Sequence, residues 1–195
     1  MSELSDSVSK DELRAAALAR RLALSDEARA AAAVVIAARP LPFAVPEGAI
    51  VAGYVPIRGE IDPLPLMRAL AEGGARLALP VVTGPGRPLK FRAWSEGEAL
   101  QRSRLGILEP LPGAPELVPD IVLAPLAAFD AQGHRIGYGA GHYDCTLAAL
   151  RGSKPVIAAG LAFAVQQIEA VPAAAHDVAL DYVITERDTL IFRSR

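Results

Sequence analysis

Residues 129–144 read Phe-Asp-Ala-Gln-Gly-His-Arg-Ile-Gly-Tyr-Gly-Ala-Gly-His-Tyr-Asp, and this stretch constrains the fold more than any other. Gly137, Gly139 and Gly141 alternate in it. Glycine accepts positive φ and lets a backbone approach a ligand closely. Such a run suits a loop whose N–H groups converge on an anion. The apolar segment 121–125 before it reads as a strand, and 144–150 after it reads as a helix. Strand, glycine loop and helix start in that order make a phosphate site, because a helix N-terminus offers unpaired N–H groups and a positive dipole end. Arg135 adds a fixed positive charge, and Asp144 a carboxylate where a metal can join the phosphates. The plainer reading is a tight turn. Neither common phosphate fingerprint fits: His142 stands where the dinucleotide pattern needs glycine, and the loop has no Gly-Lys-Ser/Thr.

The rest of the chain supplies layers for such a loop. Ser9 and Glu12 form a capping box ahead of a helix expected to run to about Leu24. Ser25-Asp26-Glu27 starts a second helix, which Pro40 and Pro42 end. Lys10 and Arg14 share one face at the start of the first helix, where cations oppose the dipole by roughly 0.3–1 kcal/mol each. Either an anion sits there or both point to water. Residues 49–55 read as a strand and 64–72 as a helix with Pro63 in its first turn. Strands are expected at 76–82 and 89–94, then at 155–161, with a terminal pair at 182–185 and 189–192. Segment 95–104 is polar, 106–110 is a short extended piece, and 111–119 reads as an irregular connection. This rhythm predicts helices covering a largely parallel sheet. Glu60 falls just past a predicted strand, where open α/β sheets place ligand groups, or is an ordinary loop acid. Trp94 reads equally as a core, rim or platform residue.

Composition closes several classes. A chain of 195 residues forms one good core and is short for two domains, so residues 1–195 are expected to form a single domain. A net charge of −2 gives no general pull toward nucleic acid or acidic membrane. Cys145 is the only cysteine, which rules out an internal disulfide and suits a reducing compartment. Met1 to Asp6 is acidic and polar, unlike a secretory signal, and no apolar run reaches the roughly 18 residues of a membrane span. A cytoplasmic protein is expected. His134, His142 and His176 show no zinc-ligand spacing.

Taken in order, several of these pieces resemble the 5-formyltetrahydrofolate cyclo-ligase (5,10-methenyltetrahydrofolate synthetase) family. They are Lys10-x-x-x-Arg14, Tyr54-Val55-Pro56 with Gly59-Glu60-Ile61-Asp62, Leu79-Pro80, and Gly106-Ile107-Leu108-Glu109-Pro110. Phe129-Asp130, Gly133, Arg135 and Gly137-x-Gly139-x-Gly141-x-Tyr143-Asp144 follow, then His176-Asp177 and Asp181. The resemblance spans nearly the whole chain. It departs from the family pattern at His142, usually aromatic, and at Cys145, commonly Arg. Cys145 is either a reactive thiol near a helix start or a small semi-buried residue.

The resemblance implies a three-layer α/β/α sandwich with a mostly parallel, mixed sheet, related to sugar-isomerase and CoA-transferase folds. It implies ATP- and Mg²⁺-dependent cyclisation of 5-formyltetrahydrofolate to 5,10-methenyltetrahydrofolate, with release of ADP and phosphate. In that reading Lys10, Arg14 and Arg135 meet the ATP phosphates together with Ile136, Gly137, Tyr138, Gly139, Ala140, Gly141, His142 and Tyr143. Lys10, Arg14, Arg135 and Glu60 are the expected catalytic residues. Val55, Glu60, Tyr138, His142 and Tyr143 hold the folate, and Asp144 and Asp181 are the expected Mg²⁺ ligands. The partners are reduced folate and ATP, with no nucleic acid and no membrane, and a monomer is expected. A non-catalytic reduced-folate store on the same fold is the alternative, although it has no need of an ATP–metal set. A phosphosugar isomerase on a related fold is a third reading, but the glycine loop offers no clear histidine or carboxylate pair to shuttle the proton.

Overall fold

The computed structural model describes residues 9–104, 106–174 and 177–192. The polar N-terminal stretch and His176 lie outside the described residues.

Helix α1 (Lys10–Leu22) starts where expected: the Ser9 side chain accepts from Glu12 N, and the Glu12 carboxylate accepts from Ser9 N at 2.8 Å. Helix α2 (Asp26–Ala38) is capped by Ser25. Strand β1 (Ile50–Ala52) leads through a loop to α3 (Leu64–Glu72), whose N-cap position is taken by Pro63. Strands β2 (Arg76–Val81) and β3 (Lys90–Ala93) follow. Then come β4 (Leu100–Arg102), β5 (Leu108–Pro110), β6 (Glu116–Leu117) and β7 (Ile121–Pro125). Strands β8 (Ala128–Phe129) and β9 (Arg135–Ile136) precede α4 (His142–Ser153). Strand β10 (Ile157–Leu161), a 3₁₀ turn (Ala164–Gln166), β11 (Tyr182–Ile184) and β12 (Thr189–Ile191) complete the order.

One sheet has the order β12-β11-β10-β7-β1-β2-β3-β6. Its inner strands β11, β10, β7, β1 and β2 run parallel, whereas β12, β3 and β6 pair antiparallel at the edges. The 83–88 connection contains no helix, so β3 returns beside β2 as a hairpin strand rather than a parallel crossover. Two small hairpins lie outside this sheet, β4–β5 and β8–β9. Segment 95–104 is thus not merely a polar connection, and 111–119 carries an edge strand.

The apolar runs divide by alternation. Val51, Leu77, Leu79, Ile121, Leu123 and Leu161 pack with Ala32, Ile36, Leu66 and Met67 of α2 and α3. Ala52, Ala78, Val122, Ala124, Ala158 and Val183 face the other way, toward Leu147 of α4. The second face is alanine-rich, which suits close helix approach. The protein is therefore an α/β fold with a mixed sheet flanked by helices. Helix α1 sits apart from both clusters: Ala17 and Leu13 pack on Ala128, Ile136 and Val171, fixing α1 against the β8–β9 hairpin. No described helix is long and apolar enough to cross a membrane.

Candidate active site

Strand β1 connects to β2 on one side while β7 lies on its other side, so the strand order reverses at β1. Open α/β sheets bind ligands outside the carboxyl ends of the strands at such a reversal. A cavity of about 390 Å³ lies there. Tyr54 and Val55 reach it from the end of β1, Pro80 and Val82 from β2, and Pro125 from β7. Ile107 and Glu109 of the β4–β5 hairpin close one wall.

The glycine loop forms the opposite wall through Gly137, Tyr138, Ala140 and Gly141, continued by His142, Tyr143 and Asp144 of α4. Gly139 and Gly141 have φ of 92° and 64°, a region open chiefly to glycine. Gly141 is the α4 N-cap, so the positive end of that helix opens at the loop. The buried Asp130 carboxylate shapes the preceding turn by accepting from Gln132 N, His134 N and Val171 N. Ile136 is buried with Ala17, Ala128 and Val171 and does not line the cavity.

Both cations of α1 are engaged. Arg14 Nε donates to Gly137 O at 2.7 Å, and Lys10 Nζ lies 2.5 Å from Asp177 Oδ2. Neither merely points to water. The carboxylate of Asp177 also accepts from Ala174 N. Arg135 is buried, binding Val178 O and, at 2.8 Å, Asp144 Oδ1, which in turn accepts from Val178 N. Burial pulls the Arg135 guanidinium below its ordinary range, while Asp144 opposes this. Arg135, Asp144 and the glycine loop thus line the cavity, while Arg14 holds the loop through Gly137 O and Lys10 meets Asp177 behind it. Sequence reasoning quoted Asp177 but gave it no role; its spacing beside Val178 carried no sign of contact with Lys10.

Asp181 is placed elsewhere. It precedes β11, at the amino end of the parallel strands, and accepts from Ala158 N and Arg151 Nη2, each at 2.8 Å. The fold therefore does not bring it to Asp144, and no group of three or more His, Cys, Asp or Glu side chains able to hold a metal forms among the described residues. Asp144 does fit a hard cation that keeps most of its waters: its Oδ2 has no hydrogen bond among the described residues, and the cavity borders it.

The third wall carries Glu60. Its Oε2 accepts from Ile57 N at 2.9 Å, and its Oε1 is buried without a hydrogen-bond partner among the described residues. Burial pushes the Glu60 carboxyl up, opposed by the Ile57 bond, Tyr138, Arg21 and Arg58. The Tyr138 hydroxyl is likewise buried without a well-formed hydrogen bond, although it lies near enough to Glu60 and Arg21 to feel both, and burial beside Glu60 pushes it up. Burial raises Tyr54 and Tyr143 in the same way, with Glu60 adding to both, so all three phenols stay neutral donors. His142 places Nδ1 3.2 Å from Arg87 O, and Cys145 Sγ lies 3.6 Å from Gly86 O, so the start of α4 also holds the 83–88 loop. Trp94 lies outside this cavity, in a separate groove between α3 and β3, with its indole N–H on Glu98 O.

A glycine loop backed by Arg135, the buried acid Glu60 and neutral phenols thus meet around a switch-point cavity in an α/β fold. The chain belongs to the 5-formyltetrahydrofolate cyclo-ligase family, whose sequence model matches residues 6–186. It is 31% identical over 191 residues to the 5-formyltetrahydrofolate cyclo-ligase of Mycolicibacterium smegmatis, covering 94% of this chain and 96% of that one. It is 34% identical over 142 residues to the Escherichia coli K12 cyclo-ligase, covering 69% and 76%. The NMR structure of Aquifex aeolicus 5,10-methenyltetrahydrofolate synthetase superposes with a TM-score of 0.78 at 29% identity, covering 95% and 94%. A 5,10-methenyltetrahydrofolate synthetase from Mycoplasma pneumoniae shares the fold, with a TM-score of 0.72 at 23% identity, covering 92% of this chain and 99% of that one. Membership places the chain among ligases of folate one-carbon metabolism.

Proposed function

We propose that the chain closes 5-formyltetrahydrofolate to 5,10-methenyltetrahydrofolate, using ATP and releasing ADP and phosphate. One observation supports this above the others. A single cavity joins the glycine loop, the N-terminus of α4 and Arg135 to a wall bearing Glu60 and neutral phenols. The first suits a triphosphate and the second a pterin.

The chemistry asks little of covalent catalysis. A formamide oxygen is a poor leaving group until it carries a phosphoryl group. In this reading the formyl oxygen attacks the γ-phosphorus and the bond to ADP breaks. N10 then attacks the formyl carbon and loses its proton, and the C–O bond breaks to release phosphate. The protein aligns the two substrates and neutralises charge on the group in flight. The glycine loop and the α4 N-terminus cradle the phosphates, and Lys10 and Arg14 reach them from α1. Lys10 then exchanges Asp177 for a phosphate oxygen. Arg135 holds Asp144 and adds charge from beneath. Glu60 accepts hydrogen bonds from the folate ring system, with Val55, Tyr138, His142 and Tyr143 around it. Asp144 would hold Mg²⁺, which when bound supplies neutralising charge to the phosphates; Asp177 stands closer to this group than Asp181 does. The same reading takes residues 1–195 as one monomeric cytoplasmic domain, a three-layer sandwich akin to sugar-isomerase and CoA-transferase folds; helices on both sheet faces support the layering.

The test is direct. Protein, 5-formyltetrahydrofolate, ATP and Mg²⁺ are mixed and methenyl absorbance is followed. ATP-dependent product is expected. Folate binding without turnover would instead indicate a storage protein, and neither binding nor turnover would reject the reading.

A further inference from the structure

Arg21 has no part in the assignments above, yet it is the largest fully buried side chain among the described residues, at 0% exposure. It lies on the same face of α1 as Lys10 and Arg14: positions 10, 14, 17 and 21 fall on one helical stripe. At 1.5 Å per residue that stripe runs roughly 16 Å, from the phosphate side of the cavity to its folate side. The guanidinium makes no ion pair among the described residues. Its Nη2 donates to Arg58 O at 2.7 Å and its Nη1 to Leu126 O at 3.3 Å. Its Nε is buried without a partner, as are Glu60 Oε1 and the Tyr138 hydroxyl. Its Cζ lies 5.8 Å from the Tyr138 ring centre, with Arg58 Cζ at 5.5 Å.

The residue that Arg21 grips is itself unusual. Arg58, at φ 52°, is the only non-glycine described residue with positive φ, and Gly59 follows at φ 74°. This turn aims Glu60 back into the cavity. A non-glycine residue in the left-handed region is strained and persists where its surroundings fix it. Burying a guanidinium that feels the Glu60 carboxylate but forms no direct ion pair with it is also unfavourable. Two local costs meet at one hydrogen bond, and that bond sets the geometry of the folate wall.

We propose that Arg21 is a positioning residue for the reduced folate: its bond to Arg58 O and its approach to the Tyr138 ring hold the 54–62 loop and the glycine loop in the register that presents Glu60 to the ligand. This rests on the reading of the cavity as a folate and ATP site. Arg21 touches neither substrate.

Helix α1 allows a clean test, because it carries Lys10 and Arg14 on the phosphate side. A merely structural Arg21 loosens α1 as a whole and weakens both substrates together. A positioning Arg21 weakens one. Equilibrium dissociation constants for 5-formyltetrahydrofolate and for ATP–Mg²⁺ are measured separately on wild type, Arg21→Met and Arg21→Lys. Arg21→Met should bind the folate about tenfold or more weakly, the scale of a lost charge-assisted bond, with ATP unchanged within about twofold. Arg21→Lys, which keeps the charge but spans one carbonyl, should fall between. Equal weakening of both substrates, or no change in folate binding, overturns the proposal. If Arg21→Met does not fold, Arg21→Lys carries the same readout, and its overturning result is again parallel or absent loss. A wild-type protein that does not bind the folate rejects the functional reading and this inference with it. Wild-type binding with parallel loss in the variants rejects only the inference.

Discussion

Asp181 and Glu60 are both buried carboxylates, 3% and 7% exposed, at opposite ends of one parallel sheet. At the amino ends of the strands, Asp181 meets Arg151 and a backbone N–H at ordinary distances. At the carboxyl ends, Glu60 keeps one oxygen without a partner, beside a tyrosine hydroxyl in the same condition. A satisfied buried acid fastens elements together. An unsatisfied one is a standing cost that ligand binding can remove. The sheet therefore separates a fastening end from a working end.

The largest effect should come from breaking the fastening. Asp181→Ala strands the Arg151 charge and the Ala158 N–H, and should lower stability by about 3–5 kcal/mol in denaturant titration, the range for half of a buried pair. Folate and ATP KM values of the folded fraction should stay within about threefold. A stable variant that had lost Mg²⁺ dependence would show that Asp181 belongs to the working end after all.

Glu60→Gln should do the reverse, raising the folate KM on the order of tenfold to a hundredfold, as for a lost bond to a charged group. Its stability should not fall. Because burial raises the folded carboxyl above its unfolded value, the folded state holds the proton more tightly, and wild-type stability declines as pH rises through that window. The Gln variant lacks this decline. Its melting temperature should match wild type in acid and gain on it toward pH 8. A gap that closes as pH rises would contradict the assignment.

Lys10→Ala should raise the ATP KM by about tenfold while changing stability by at most about 1 kcal/mol, since Lys10 is partly exposed. Unchanged ATP kinetics would remove α1 from the phosphate wall. The smallest effect is expected from Ser9→Ala, which deletes the cap and should cost about 1 kcal/mol in thermal or denaturant unfolding. A loss within error would mean that α1 does not need its cap.

Most strands and helices were legible because their signals are local. Caps, prolines and alternating apolar residues mark α1, α2, α3, β7 and the β11–β12 pair within a residue or two. Segment 106–110 was legible as extended and holds β5, but its partner β4 and the β8–β9 hairpin were not, since Leu100-Gln101-Arg102 carries no clear alternation and is fixed by β5. The site divides in the same way. The glycine loop, Lys10, Arg14 and Glu60 stood out by type and order. Arg21 did not, because cations in the last turn of a helix, as Arg20 and Arg21 are, favour its dipole without any ligand. Only tertiary packing buries one of them, although its helical phase with Lys10 and Arg14 was there to be seen. Asp181 was placed beside Asp144 only through the resemblance, because sequence does not say which end of a strand a carboxylate occupies, and Asp181 stands directly before β11.

The seating of α1 has a consequence for how the molecule opens. Its only fully buried residues are Ala17 and Arg21, its apolar contacts are confined to a small cluster, and Lys10 meets Asp177 across 167 residues of chain. Little hydrophobic area holds it, so it is suited to detach as its own cooperative unit while the central strands stay closed. Amide hydrogens of α1 would then exchange well before those of β7 and β10, and activity would fade in mild denaturant ahead of global unfolding. Bound substrate, by taking hold of Lys10 and Arg14, would slow that exchange through mass action. Catalytic readiness in this fold would then be a property of one helix's docking equilibrium.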